Sequence, residues 1–125
     1  MSIRYIVLSF LPALLVFAGI SVLSHQAGLK SEFAIVTDLV LRKGAHMVEY
    51  GALFLALFWG FWRVFDKHYA PAVTAALITA FILSLADEFH QVYVPGRSGS
   101  PDDIGFDVSG MLLAYVGIQA LVREE

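Results

Sequence analysis

The sequence predicts an all-α fold, a four-helix transmembrane bundle with a polar cluster at one membrane face, and three observations carry that prediction. Hydrophobic residues make up 58% of the 125-residue chain, against about 45–50% in an ordinary soluble domain. They gather into four windows, each close to the roughly 20 residues of helix that cross a bilayer. The remaining polar residues are bunched: 70–85 carries no charge, whereas 86–103, ADEFHQVYVPGRSGSPDD, holds Asp87, Glu88, His90, Arg97, Asp102 and Asp103. A soluble domain of this length would have too little polar residue to cover its outside.

The first window is 5–23. Arg4 before an apolar run also suits a cleaved signal peptide, but the run is longer than a usual signal core and no Ala-x-Ala site follows, so an uncleaved helix is expected. The second window is 44–65, reached through 24–43, the only long polar connection. The third is 70–91, with a polar last turn, and the fourth is 104–122. No period of 20–50 residues repeats, and the whole of 1–125 is expected to form one domain. Small residues recur every fourth position at Ala52, Ala56 and Gly60, at Ala72, Ala76 and Ala80, and at Gly110 and Ala114. Such stripes let helix backbones approach closely in lipid.

Residues 94–101 have the glycines and prolines of a compact turn. Ser100, Pro101 and Asp103 then spell a helix start, with Ser100 as N-cap, Pro101 in the first helical position and Asp103 placed for a capping box.

Composition excludes several functions. Net charge is −3, from eight basic and eleven acidic residues, and no basic run or aromatic-basic interleaving suits a phosphate backbone, so nucleic acid is not an expected partner. The absence of cysteine excludes disulfides, thiolate nucleophiles and Cys-based zinc sites.

Four spans place the start of the second, the end of the third and the start of the fourth on one side of the membrane. Polar residues distant in sequence therefore converge in one leaflet. Lys and Arg are tied between the two sides, with Arg4, Arg63, Lys67 and Arg123 against Lys30, Arg42, Lys43 and Arg97. With Arg42, Lys43 and Arg97 assigned to a site, the remaining count favours cytoplasmic termini and an outward-facing site.

On the second span Lys43, His46 and Glu49 or Tyr50 repeat at three- and four-residue spacing and share a face. Glu49 lies about 10 Å in from Arg42 at 1.5 Å per residue, a depth at which an ionisable group ordinarily faces a cavity or a partner. On the third, Asp87, His90 and Gln91 stand at i, i+3 and i+4, beside Glu88. The Asp107 carboxyl lies one turn deeper than Asp103 on the same face of the fourth. Arg97, flanked by Ser98, Gly99 and Ser100, suits an anion clamp or a counter-ion for the surrounding acids. His25 and His68 fall near membrane boundaries and are expected to be interfacial.

The pattern Lys43-x-x-His46-x-x-Glu49-Tyr50, then Asp87-Glu88-x-His90-Gln91, then Pro95-Gly96-Arg97-Ser98-Gly99-Ser100, Asp103, Asp107 and Gly110 resembles the VanZ-like family of bacterial membrane proteins. The resemblance runs over about residues 43–117. It implies a compact multi-span protein of the cell envelope in the bacterial inner membrane, in a family named for a member that lowers susceptibility to teicoplanin, a lipid-tailed glycopeptide. Pro101 departs from the aliphatic residue expected there, but suits a first helical position.

Two classes of function fit. In the first, Lys43, Arg97, Ser98 and Ser100 hold an anionic headgroup or an amphiphilic antibiotic while His46, Glu49, Tyr50, Asp87, Glu88, Gln91, Asp103 and Asp107 shape specificity. In the second, an enzyme acts on a lipid-linked phosphate or ester, with catalytic candidates His46, Glu49, Asp87, Glu88, His90, Asp103 and Asp107. Carboxylates with imidazole suit Mg, Mn or Zn, but no His-Glu-x-x-His motif is present, so the sequence does not require a metal. A third class, a structural bundle, needs no ligand. The expected partners are membrane lipid and a lipid-linked envelope precursor or lipoglycopeptide.

Overall fold

A computed structural model of the chain describes residues 1–25, 35–95 and 99–123, with side chains over 1–25, 40–95 and 99–121. Four helices follow in order: α1 (Ile3–His25), α2 (Ile35–Val64), α3 (Tyr69–Gln91) and α4 (Pro101–Arg123). There is no strand among the described residues. Each helix contains a stretch long and apolar enough to cross a membrane.

The second helix starts nine residues before the apolar window expected at 44. Its membrane-crossing stretch runs from Val40 to Val64. Hydropathy marks where a helix meets lipid, not where its hydrogen bonding begins.

Burial is inverted relative to a soluble protein. On α1 the buried residues are Ser9, Ala13, Ile20 and Ser24, while Leu8, Leu11, Leu14, Leu15 and Val22 are exposed. On α3 Ala72, Ala76, Ala80 and Ser84 are buried, and Ile78, Phe81, Ile82, Leu85 and Phe89 face outward. Large apolar side chains contact lipid without cost, so α1 and α3 turn mostly small residues inward, where they permit close packing.

The hub is α2, which packs against all three other helices, while α1 and α4 do not approach each other among the described residues. Its Tyr50, Leu53, Phe54 and Leu57 form the core with Ala13 and Ile20 of α1, Ala76 and Ala80 of α3, and Met111 of α4. The α3 stripe packs as predicted. On α2 the stripe is only partly right: Gly60 is buried, but Ala52 is exposed. Close approaches fall at two of the expected positions, Gly60, where an added Cβ would stand 3.0 Å from the Ser9 carbonyl oxygen, and Gly110, where it would collide with the Met47 carbonyl, and also at Gly51, outside the stripes, where it would stand 3.1 Å from the Gly110 carbonyl oxygen.

The α2–α3 connection is a tight turn through Asp66 (φ 49°) and Lys67 (φ 65°). Around it lies an aromatic-basic belt: Arg63 stacks over Tyr5 and Trp59, and Lys67 over Trp62. Such rings suit a membrane–water boundary. The opposite end of the bundle gathers the end of α1, the start of the α2 span, the end of α3 and the start of α4.

Candidate functional site: a buried acid–histidine cluster

At that end the helices surround a set of buried polar side chains. Asp107 is fully buried, one and a half turns into α4. Its Oδ1 lies 2.9 Å from His46 Nδ1 on α2, and its Oδ2 accepts a 2.6 Å hydrogen bond from Ser84 on α3. This contact sits beside the Gly110–Met47 approach, so the missing Cβ is what brings the imidazole and the carboxylate together.

Asp87 is held next to this core. Its Oδ2 accepts from Ser24 Oγ of α1 at 2.8 Å and from Gln91 Nε2 at 2.9 Å. Glu88, also buried, accepts the Ser100 backbone N–H at Oε2, at 2.9 Å. Its Oε1 is buried and has no hydrogen-bond partner among the described residues, and neither has the buried Tyr50 hydroxyl.

The Ser100 contact corrects the capping expectation. Ser100 does cap α4, its Oγ accepting the Asp102 N–H at 3.3 Å. However, the Ser100 N–H goes to Glu88 of α3 and not to Asp103, which faces Lys43 with an N···O separation of 4.0 Å. A long glutamate from a neighbouring helix reaches the N-cap and leaves Asp103 to the α2 cation. Lys43 also lies 4.2 Å over the Phe106 ring.

A cleft of about 260 Å³ opens between α1 and α2 at the same end, lined by Leu23, Ser24, Arg42, Ala45, His46 and Glu49. His46 thus forms part of both the buried cluster and the cleft. Glu49 is half-buried at its wall.

The structure therefore brings together Lys43, His46, Glu49, Tyr50, Asp87, Glu88, Gln91, Asp103 and Asp107, with Ser100 at the margin. His90, expected on the Asp87 face, does not join them. It is exposed and stacks on His25 of α1, with ring centroids 5.3 Å apart and Nε2 3.3 Å from His25 Nδ1. At about 100° per residue, Ala80, Ser84, Glu88 and Gln91 all lie to one side of Asp87 around the helix, and His90 lies to the other. Arg97 and Ser98 are outside the described residues.

Two participants escape a reading of charged residues. Ser84 continues the stripe of Ala72, Ala76 and Ala80 by one step, and a hydroxyl at that position was the available signal. Ser24 ends an otherwise apolar run, and nothing in its neighbourhood points to Asp87. Chemically, the cluster offers a histidine oriented by a carboxylate, an oxygen-rich interior, and cations at its outer side.

A family model described as VanZ/LLP1 matches residues 3–122 of the chain. The match takes in α1, beyond the stretch that carries the sequence resemblance. No curated protein and no solved structure matches the chain.

Proposed function

The chain belongs to the VanZ/LLP1 family, and from that premise we propose that this membrane protein protects the bacterial envelope by taking the polar head of an amphiphile into the α1–α2 cleft. The observation that carries the reading is the cleft itself: it lies between two helices whose outer surfaces are apolar, and its lining joins Arg42 to His46 and Glu49. A head can enter sideways while its tail stays in lipid. Arg42 and Lys43 near the outer side suit an anionic group, whereas the buried acids suit its hydroxyl or amine donors.

The amphiphile is an anionic lipid headgroup, a lipid-linked envelope precursor or a lipid-tailed glycopeptide of the teicoplanin type. The protein sits in the inner membrane with both termini cytoplasmic and the cleft facing outward. A second reading, a hydrolase or transferase acting on a lipid-linked phosphate or ester, is favoured by one observation. Asp107 fixes His46 through Nδ1, an arrangement that orients a general base.

The experiment is survival of cells expressing the protein in a lipid-tailed glycopeptide, with membrane protein level measured for each variant. The parent is expected to protect. Glu49→Gln and Asp87→Asn are expected to protect as well as the parent, because the amides keep shape and acceptor oxygens. Arg97→Lys is expected to protect less, since it keeps the charge but loses the planar fork. Loss in the amide variants, in line with the ~10²–10⁴-fold cost of removing a proton-transfer group, supports the enzyme instead. No protection by the parent refutes the protective role.

A further inference from the structure

We infer that His46, Glu88 and Asp107 form a binding site for one first-row divalent cation, Zn²⁺ or Mn²⁺, at the inner end of the cleft. Each of the three offers a ligand atom, and these atoms lie within 4.8 Å of one another. Tetrahedral coordination at about 2.0–2.2 Å per ligand sets the donor atoms roughly 3.3–3.6 Å apart, so a pair at the 4.8 Å limit closes by a little over one ångström. The three side chains come from α2, α3 and α4, so an ion there would join the three helices.

The carboxylates are already oriented by outer partners. Ser84 holds Asp107 Oδ2, and the Ser100 N–H holds Glu88 Oε2. That is the support that metal-ligating carboxylates ordinarily have. What remains of Glu88 is Oε1, on a residue only 5% exposed, with no hydrogen-bond partner among the described residues. A buried carboxylate oxygen without a partner costs free energy, and a cation beside it removes that cost.

The donor set chooses the ion. One imidazole nitrogen with two carboxylate oxygens suits Zn²⁺ or Mn²⁺ better than Ca²⁺, which takes six to eight oxygens, or Mg²⁺, which keeps most of its water. Because His46 also lines the cleft, the site adjoins the space a headgroup would enter. A phosphate or carboxylate oxygen bound there would meet a cation within an otherwise acidic interior. The site stands on its own geometry and is tested without any amphiphile.

The test uses the full chain, purified in detergent with a histidine-free affinity tag, stripped with chelator, and titrated with Zn²⁺ and with Mn²⁺. The parent is expected to bind about one ion per chain. Glu88→Gln, which keeps an acceptor for the Ser100 N–H, is expected to weaken binding at least ~10-fold, the loss that even an outer partner's removal produces. Far-UV circular dichroism checks that the variant is folded.

A second measurement needs no change in the cluster. Of the four histidines, His25, His68 and His90 are exposed, and the triple variant His25→Gln/His68→Gln/His90→Gln leaves His46 as the sole imidazole. Pulsed EPR of bound Mn²⁺ in that variant is expected to show coupling to an imidazole nitrogen. No stoichiometric binding by the parent, unchanged affinity in folded Glu88→Gln, or loss of the nitrogen coupling in the triple variant each overturns the site.

Discussion

Gly110→Ala is expected to destabilise the bundle by about 1–3 kcal/mol or more, the range for overpacking a well-packed interior. The new methyl collides with the Met47 carbonyl and lies 2.8 Å from Met47 Cα. Helix backbone cannot rotate aside as a flexible side chain would, so α4 must move away from α2. The control is Gly117→Ala, where an added Cβ meets nothing within 4 Å. Replacing a helical glycine with alanine in open space is expected to stabilise by roughly 0.5–1 kcal/mol. The two substitutions are chemically identical and lie two turns apart on one helix, yet opposite signs are expected in thermal unfolding followed by circular dichroism. Equal effects would show that α2 and α4 do not meet at Gly110.

The second large effect is expected at Asp107, whose two oxygens face His46 and Ser84. Asp107→Ala leaves an imidazole and a hydroxyl buried without their acceptor, and a loss of about 3–5 kcal/mol is expected for breaking such a pair. Asp107→Asn keeps a carbonyl for Ser84 and offers an amide N–H to the other imidazole tautomer, so it should cost much less. Ser84→Ala removes a single hydrogen bond and should cost about 1 kcal/mol. In a double-mutant cycle, adding His46→Ala to Asp107→Ala should cost less than the sum of the singles, with a coupling of ~0.5–3 kcal/mol. Additive losses would mean that the two side chains do not interact.

These residues also mark how far the sequence could be read. The four spans and their order follow from hydropathy, because lipid exposure demands an apolar surface wherever a helix crosses. Convergence of 43–50, 87–91 and 100–107 at one end follows from connectivity alone. Pairing inside the cluster does not follow, because it depends on how helices rotate and how closely they approach. Asp107 finds His46 only because Gly110 admits the Met47 carbonyl. Spacing at i, i+3 and i+4 put His90 with Asp87, but the buried arc of α3 turns toward Ser84, Glu88 and Gln91, and His90 meets His25 at the surface. Glu88 reaches across to the Ser100 N–H and takes the place expected of Asp103, a contact between helices that a local capping rule does not contain.

The central claim, that an amphiphile's head occupies the α1–α2 cleft, is tested most directly by cysteine protection, for which a chain without native cysteine is well suited. Ala45 lines the cleft and is exposed, whereas Lys67 lies in the turn at the other end of the bundle. In sealed vesicles, a membrane-impermeant thiol reagent should label Ala45→Cys and Lys67→Cys from opposite sides. Adding a lipid-tailed glycopeptide or an anionic lipid should slow labelling of Ala45→Cys from its own side and leave Lys67→Cys unchanged, while the same glycopeptide without its tail should protect far less. Labelling of Ala45→Cys at the same rate with and without every amphiphile would contradict occupation of the cleft.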